Sequence, residues 1–267
     1  MIRRSGRWAV VVVAMIVVAG TGAGCAGTST SAPVSITVFG AASLRDALEA
    51  AAAAYESETG IAVIVSTDSS TTLRTQIELG AEVDVFLSAD TQNPEALAAA
   101  GLVDGAVRPF AGNGLAVALP ADNPAGLSSP FDLARPGVRI IAAAAAVPIT
   151  GYASTLVDNL AGLPDAPAGF AAAYAANVVS REDNVAAVLA KLELGEGDVG
   201  IVYASDARGS RSVTTIETPI RARVAAVYQG AVQATATRPL EGHAFLDWIA
   251  GPEGQAILAD HGFVPPP

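Results

Sequence analysis

Short runs of apolar and β-branched residues alternate along the chain with longer, alanine-rich stretches in which apolar residues recur at helical spacing. Strands and helices in this alternating order are typical of α/β proteins with mainly parallel sheets, which is the fold class that we predict. The first helix is expected to begin at Ser43 and to stop at Gly60. Strands are expected at residues 36–39, 61–66, 83–87, 115–119, 138–142, 177–179, 199–203 and 224–228.

Four junctions between a predicted strand and the following helix suit an anion site. They are Ser43 and the segments 69–73, 147–152 and 182–185. A helix N-terminus presents unpaired backbone N–H groups and a positive dipole end, and ligands of open α/β sheets bind beyond the carboxyl ends of the strands. Each junction alone is typical of ordinary helix capping. Four of them together favour a shared ligand, although their spacing does not show that they converge.

The N-terminal residues indicate export. Three arginines among the first seven residues precede an apolar run at residues 8–19, which is too short to span a bilayer, and small residues follow it. We therefore expect residues 1–24 to be a signal peptide. Residues 25–33 are mostly small and polar, and we expect them to form a flexible tether.

Cys25 is the single cysteine, so the chain cannot form an intramolecular disulfide. Ala23-Gly24-Cys25 resembles the lipobox of bacterial lipoproteins, although Gly22 stands where that pattern usually has leucine. The resemblance implies that Cys25 is lipidated and that the exported protein is anchored to the cell membrane, facing the periplasm or the extracellular side. A lone unmodified cysteine is the alternative.

Charge narrows the possible partners. The chain has 15 basic and 26 acidic residues and a formal net charge of −11. Without the three arginines of the expected signal peptide, 12 basic residues remain and the net charge becomes −14. This acidic balance excludes nucleic acid as an expected partner, because phosphates require a basic surface. An anionic ligand would have to be held by local dipoles against the overall field.

Several enzyme classes lack the residues that they require. A serine hydrolase needs a histidine base and a Gly-x-Ser-x-Gly elbow, but His243 and His261 lie near the C-terminus and the elbow is absent from the sequence. A zinc enzyme needs clustered His or Cys, and a dinucleotide-binding enzyme needs a glycine motif where residues 40–43 read Gly-Ala-Ala-Ser. We expect neither an enzyme nor a cofactor. The five tyrosines are not expected to group, which disfavours a ferric receptor.

An ordered set of motifs resembles the periplasmic molybdate-binding receptors of ABC uptake systems, which have the type II solute-binding fold. The resemblance covers residues 35–264. It agrees with a division into two lobes, the first from residues 34–115 plus 224–267 and the second from residues 116–223, joined by a two-strand hinge. The matching segments are 38–44 (VFGAASL), 69–73 (SSTTL), 84–90 (DVFLSAD) and 200–207 (GIVYASDA), with Gln76-Ile77, Gly80-Ala81, Val147-Pro148, Tyr152-Ala153, Gly251-Pro252 and residues 261–263.

The resemblance implies a site in which neutral donors from both lobes hold a tetrahedral oxyanion. Two serines would give hydroxyl and backbone N–H donors from the first lobe, and two backbone N–H groups and one tyrosine hydroxyl would come from the second. No side chain would coordinate the central metal atom of the oxyanion directly. The implied residues are Ser43, Ser70, Ile149, Val185 and Tyr203.

Two local features complicate this site. Five alanines at residues 142–146 replace a more varied turn, and Ile149-Thr150 stands where the family usually has small residues. Asp68, beside the serine pair, is the one local feature that could favour phosphate, because phosphate keeps a proton at neutral pH and needs an acceptor. The alternative is that Asp68 is a solvated turn residue.

The function implied by the resemblance is that of an extracytoplasmic solute receptor. Such a receptor binds molybdate or tungstate between its lobes and delivers it to a membrane permease that works with an ATPase. We expect a monomer. A receptor of the same fold for sulfate, another oxyanion or a different small ligand is the alternative, because molybdate and sulfate share charge and shape.

Overall fold

The alternating pattern folds, as predicted, into an α/β structure with two separate five-stranded sheets. A computed structural model describes residues 34–266. The expected signal peptide, the proposed lipidation site Cys25 and the expected tether lie outside the described residues.

The strands and helices have the following bounds. The strands are β1 (Ser35–Ala41), β2 (Ala62–Asp68), β3 (Val85–Ser88), β4 (Val103–Asn113), β5 (Leu115–Pro120), β6 (Ile140–Ala143), β7 (Val178–Glu182), β8 (Val199–Tyr203), β9 (Val213–Ile216) and β10 (Ala226–Gln233). The helices are α1 (Arg45–Thr59), α2 (Ser70–Glu78), α3 (Gln92–Ala99), α4 (Pro148–Ala161), α5 (Phe170–Asn177), α6 (Val185–Glu193), α7 (Ala204–Gly209), α8 (Pro239–Ala250) and α9 (Pro252–Asp260). Short 3₁₀ turns cover Ala42–Leu44, Pro130–Ala134 and Ile220–Ala222.

Both sheets share one design, in which four strands run in one direction and one inserted strand runs in the opposite direction. The first sheet has the order β2-β1-β3-β10-β4, and the second has the order β7-β6-β8-β5-β9. The inserted strands are β10 and β5, and each runs antiparallel to both of its neighbours. Each is also the first strand after the chain crosses from the other sheet. The sheets are therefore mixed, which refines the mainly parallel arrangement that the sequence predicts.

All eight strands predicted from the sequence are present, and two further strands were not predicted. β4 contains Gly105 and Pro109, which are turn signals in a sequence, and its pairing with β10 is interrupted by two register shifts. It lies at the sheet edge, where a missing backbone N–H is tolerated. β9 has only four residues.

The first helix begins later than the sequence predicts. Ser43 lies in the 3₁₀ turn, and α1 begins at Arg45. The Ser43 hydroxyl does not cap this helix; it lies 2.9 Å from the Tyr228 hydroxyl. The predicted end is confirmed, because Gly60 follows α1 with a φ of 74°, a conformation that favours glycine.

Buried apolar side chains hold the helices against the sheets. Ile36 and Val85 are fully buried in the first sheet, and Tyr55 on α1 packs edge-on against Phe245 on α8, with ring centroids 5.1 Å apart. Between residues 34 and 266, every helix is too short or too polar to span a bilayer. The packing places the carboxyl ends of the parallel strands of both sheets at one cleft, where polar groups collect.

Gly254 provides a test of the packing between α8 and α9. A Cβ atom at this position would lie 2.5 Å from the Ile249 carbonyl oxygen and 2.7 Å from its carbonyl carbon, and backbone atoms cannot move aside. We expect Gly254→Ala to lower the free energy of unfolding by about 1–3 kcal/mol, despite the better helix propensity of alanine. Urea unfolding measures this change.

Gly151 is the matched control, since it lies in α4 with nothing within 4 Å of an added Cβ atom. Gly151→Ala should raise the free energy of unfolding by about 0.5–1 kcal/mol. Equal effects of the two substitutions would contradict the close approach at Gly254.

Candidate ligand-binding site

One small cavity lies where helices from both sheets begin. The space between its lining atoms is only about 210 Å³, including the part open to solvent, so the cavity suits a small ion rather than a drug-sized molecule. None of the residues that line it carries a charge. The structure brings all five sequence-predicted site residues to this cavity: Ser43, Ser70, Ile149, Val185 and Tyr203.

Three helices begin at the cavity wall. The first residues of α2, α4 and α6 line the cavity, and the first N–H groups of a helix have no acceptor within the helix. Pro148 at the start of α4 has no N–H, so Ile149 provides the first donor of that helix. Three positive helix ends therefore face one small space, and this arrangement attracts an anion.

The two predicted serine hydroxyls each contact a neighbouring polar group. Ser70 Oγ accepts the backbone N–H of Ala89 at 3.0 Å, so its own proton is free for another acceptor. Ser43 Oγ lies 2.9 Å from the Tyr228 hydroxyl. The helix starts and the hydroxyls together form a set of neutral hydrogen-bond donors.

Two further hydroxyls at the cavity are buried and unpaired within the described part of the chain. They belong to Tyr203, which is 1% exposed, and to Ser69, which is 4% exposed. A buried hydroxyl without a partner costs about 1–3 kcal/mol, so such a group in a folded protein needs an explanation. Burial raises the pKa of Tyr203 well above its usual value, and the phenol therefore keeps the proton that it can donate.

Ser69 and Asn184 line the cavity but were not among the predicted site residues. Ser69 precedes α2, so its proximity to Ser70 was a usable signal. Asn184 caps α6, accepting the backbone N–H of Ala187 through Oδ1 at 3.0 Å. Its amide nitrogen donates across the cleft to Asp68 Oδ1 at 3.0 Å.

Asp68 accepts a hydrogen bond that crosses the cleft, from the Asn184 amide. Its Oδ1 also accepts the backbone N–H of Ser69 at 2.7 Å, and Asp68 does not line the cavity. A second bond across the cleft runs from Thr71 Oγ1 to the carbonyl of Ala146 at 2.6 Å. The Asp68 carboxylate, which could have accepted the proton of phosphate, therefore makes its hydrogen bonds outside the cavity.

The Thr150 side chain stabilises the alanine-rich turn at residues 142–146 that precedes α4. The Thr150 hydroxyl donates to the carbonyl of Ala144 at 2.8 Å, and this bond ties the first turn of α4 to the end of β6. Residues 142–146 do not line the cavity themselves, but they lead with a defined geometry into Val147, Pro148 and Ile149, which do. The ligand role of Ile149 stays a prediction.

Three of the five tyrosines form a cluster beside the cavity, and the expectation that they do not group is wrong. The ring centroids of Tyr152 and Tyr203 are 6.3 Å apart, and those of Tyr203 and Tyr228 are 5.6 Å apart. The rings come from α4, β8 and β10, which only the fold brings together. Their hydroxyls have different surroundings: Tyr152 accepts the N–H of Val227 at 3.3 Å, whereas that of Tyr203 is unpaired.

Neither histidine reaches the cavity. His243 lies 3.3 Å from Asp104 at the surface, and the His261 ring lies 2.8 Å from the carbonyl of Ile257. Within residues 34–266, His, Cys, Asp and Glu side chains form no group of three that could hold a metal ion.

A larger cleft of about 860 Å³ lies beside α7 and differs chemically from the small cavity. Ionisable side chains line it, including Arg45, Asp46, Asp206 and His261. Burial raises the pKa of Asp206 to about 7, although its Oδ2 accepts the backbone N–H of Tyr203 at 3.2 Å, which lowers the pKa. Nearby Asp46 adds to the increase. A hydrogen bond thus links the ionisable carboxyl group of Asp206 to the backbone of Tyr203 at the end of β8.

Comparison with known proteins identifies relatives over most of the chain. Residues 36–264 match the family described as bacterial extracellular solute-binding protein. The molybdate-binding protein ModA of Mycobacterium bovis is 34% identical over 234 residues, which cover 87% of this chain and 85% of that protein.

Solved structures show the same architecture. The periplasmic molybdate-binding protein of Azotobacter vinelandii matches with a TM-score of 0.71 and 25% identity, covering 87% of this chain and 100% of that one. The sulfate-binding protein SubI of Mycobacterium tuberculosis matches with a TM-score of 0.77 and 23% identity over 87% of both chains. The second likeness concerns the fold alone. Both agree with a two-lobed α/β receptor fold.

Asp206 predicts a pH dependence of stability. A carboxyl whose pKa is about 7 in the native state and about 3.9 when unfolded binds its proton more tightly in the native state. Its contribution to stability is therefore complete below about pH 4 and is lost as the pH rises to about 7. Asp206→Asn cannot ionise, so the free energy of unfolding of the variant relative to wild type should increase by about 2–4 kcal/mol between pH 4.5 and pH 8.

Urea unfolding of both proteins across this pH range measures the difference. A difference that does not change with pH would contradict the raised pKa of Asp206.

Proposed function

The chain belongs to the family of bacterial extracellular solute-binding proteins, and we propose that it is a receptor that binds molybdate or tungstate between its two lobes and delivers the anion to an ABC importer. The observation that carries the proposal is the small cavity with neutral donors, three helix N-termini and no charged side chain.

The donor set suits an anion that carries no proton. Molybdate, tungstate and sulfate are fully deprotonated dianions at neutral pH and can only accept hydrogen bonds. Serine and tyrosine hydroxyls and backbone N–H groups can satisfy all their oxygens, and hydrogen bonds to a charged acceptor are stronger than those between neutral groups. Phosphate keeps a proton, for which a carboxylate would be the preferred acceptor, and no carboxylate lines this cavity.

The comparisons favour molybdate over sulfate within this class. The relative with 34% identity over most of both chains is a molybdate-binding protein, whereas the sulfate-binding protein shares only the fold at 23% identity. Sulfate is the second candidate, because it has the same charge and tetrahedral shape and differs mainly in size.

We assign the ligand contacts to the five residues predicted from the sequence and add one. Ser43 and Ser70 supply hydroxyls and backbone N–H groups, and the unpaired Ser69 hydroxyl supports its addition as a third donor from the same side. The remaining proposed donors come from the second sheet and its helices: the backbone N–H groups of Ile149 and Val185 and the hydroxyl of Tyr203.

Binding between two lobes implies that they close on the anion. We propose that residues 34–115 plus 224–267 form one lobe and residues 116–223 the other. Two observations support this division: each sheet draws its strands from one of these groups, and polar contacts such as Asp68 with Asn184 cross the cleft between them. Closure around the anion would exclude water and strengthen each hydrogen bond.

Delivery requires an exported receptor and a membrane complex. We propose that the chain works outside the cytoplasm as a monomer, is anchored through a lipid on Cys25, and docks to a permease that is coupled to an ATPase. It carries its ligand as cargo and performs no catalysis, and no resident cofactor is needed. The family assignment supports the export, and the basic and apolar pattern of residues 1–24 agrees with it.

A calorimetric titration tests the ligand assignment. We expect molybdate and tungstate to bind with a Kd of about a micromolar or below, which corresponds to roughly −8 kcal/mol or better, and sulfate and phosphate to bind far more weakly. Equal affinity for sulfate and molybdate would move the protein to the second candidate function. Lack of binding by every oxyanion would refute the oxyanion site.

Tyr203→Phe separates binding from folding. The wild-type hydroxyl is buried without a partner, so its removal should leave the free energy of unfolding of the ligand-free protein unchanged or raise it by about 1 kcal/mol. The same change should weaken molybdate binding by roughly 10-fold or more, because a charged acceptor loses a donor.

Tyr174→Phe is the control, since Tyr174 lies on α5 outside the cavity. We expect it to leave the molybdate Kd within twofold of wild type. Unchanged affinity in Tyr203→Phe would remove Tyr203 from the site.

A further inference from the structure

A chain of hydrogen bonds begins at Asn113, where the polypeptide leaves the first sheet. Asn113 is 2% exposed, and its Oδ1 accepts the backbone N–H groups of Gly114 at 2.9 Å and Ser205 at 3.4 Å. Because both partners can only donate, the amide oxygen must face them. The amide nitrogen is therefore directed to the opposite side.

The Asn113 amide nitrogen has two acceptors on that side. It lies 2.8 Å from Ser205 Oγ and 3.3 Å from the hydroxyl oxygen of Tyr228. An amide NH₂ group can only donate, so one of its protons occupies a lone pair of the Tyr228 hydroxyl. Asn113 is therefore a hydrogen-bond donor to Tyr228 whether or not a ligand is bound.

The Tyr228 hydroxyl then has one direction for its own proton. The residue is fully buried, and in the described part of the chain its hydroxyl contacts Asn113 and Ser43. Burial raises the pKa of Tyr228 well above its usual value, so the phenol keeps its proton. Since Asn113 cannot accept, the proton goes to Ser43 Oγ, and the alternative would leave a buried donor unpaired.

Ser43 receives this proton and must direct its own elsewhere. With one lone pair of Ser43 Oγ occupied by Tyr228 at 2.9 Å, the serine proton is available to the cavity that Ser43 lines. We propose that the bonds from Asn113 to Tyr228 to Ser43, here called the relay, orient Ser43 as a hydrogen-bond donor toward the ligand. This inference rests on the proposed function and assigns Asn113 and Tyr228 as positioning residues.

Tyr228→Phe breaks the relay with little other change. The Tyr228 ring is held by Phe110, Tyr203 and Phe263 with centroids 6.2, 5.6 and 5.4 Å away, so phenylalanine should keep the packing. We expect the Kd for molybdate at pH 8 to increase about 5- to 10-fold.

A double-mutant cycle separates positioning from packing. The cycle compares wild type, Ser43→Ala, Tyr228→Phe and the double variant, each titrated calorimetrically with molybdate. If Tyr228 acts through Ser43, the effect of Tyr228→Phe should fall below about twofold once Ser43 is alanine. Tyr55→Phe, a buried tyrosine on α1 away from the cavity, serves as the control for loss of a hydroxyl.

The outcomes are distinct. An equal effect of Tyr228→Phe in both backgrounds, or no effect in either, would overturn the relay. Wild-type protein that fails to bind molybdate would instead refute the proposed function, and the cycle would then be run with whichever of the tested oxyanions wild type binds.

Discussion

The central constraint on this protein is that a strongly acidic chain must hold an anion without using a single charged side chain at the site. The net charge is −14 without the expected signal peptide, and the residues that line the cavity are all neutral. Attraction must therefore come from fixed dipoles at short range. Three helix N-termini meet at the cavity, and their alignment requires both sheets to present the carboxyl ends of their parallel strands to the same cleft.

This requirement gives the crossing strands a second role. β5 and β10 connect the sheets and also carry the residues behind the site: Tyr228 lies on β10, and Asn113 directly precedes the turn into β5. A change in the angle between the lobes would therefore act on the hydrogen bonds that orient Ser43. Two hydrogen bonds, from Asn113 to Tyr228 and between Tyr228 and Ser43, thus connect the crossing strands directly to the site.

Local signals were sufficient for much of the fold and for the start of the site. Alternating apolar patterns located eight strands, Gly60 marked the end of α1, and polar residues at strand ends pointed to Ser43 and Ser70. β4 was missed because Pro109 and Gly105 are turn signals whose cost is tolerated at a sheet edge. The late start of α1 was missed because the Ser43 hydroxyl faces Tyr228, which lies far away in sequence.

The sequence by itself determined the α/β class, the acidic balance, the ordered motifs that resemble solute receptors and the residue types available as donors. These depend on neighbours in the chain, since periodicity and capping act over a few residues. Only the tertiary structure decided that the junctions converge, that three tyrosines cluster, that Asp68 faces Asn184 outside the cavity, and that the hydroxyls of Tyr203 and Ser69 are unpaired. The convergence of the junctions and the direction of a hydrogen bond depend on atoms brought together from distant parts of the chain. Spacing along the sequence does not determine those distances in space.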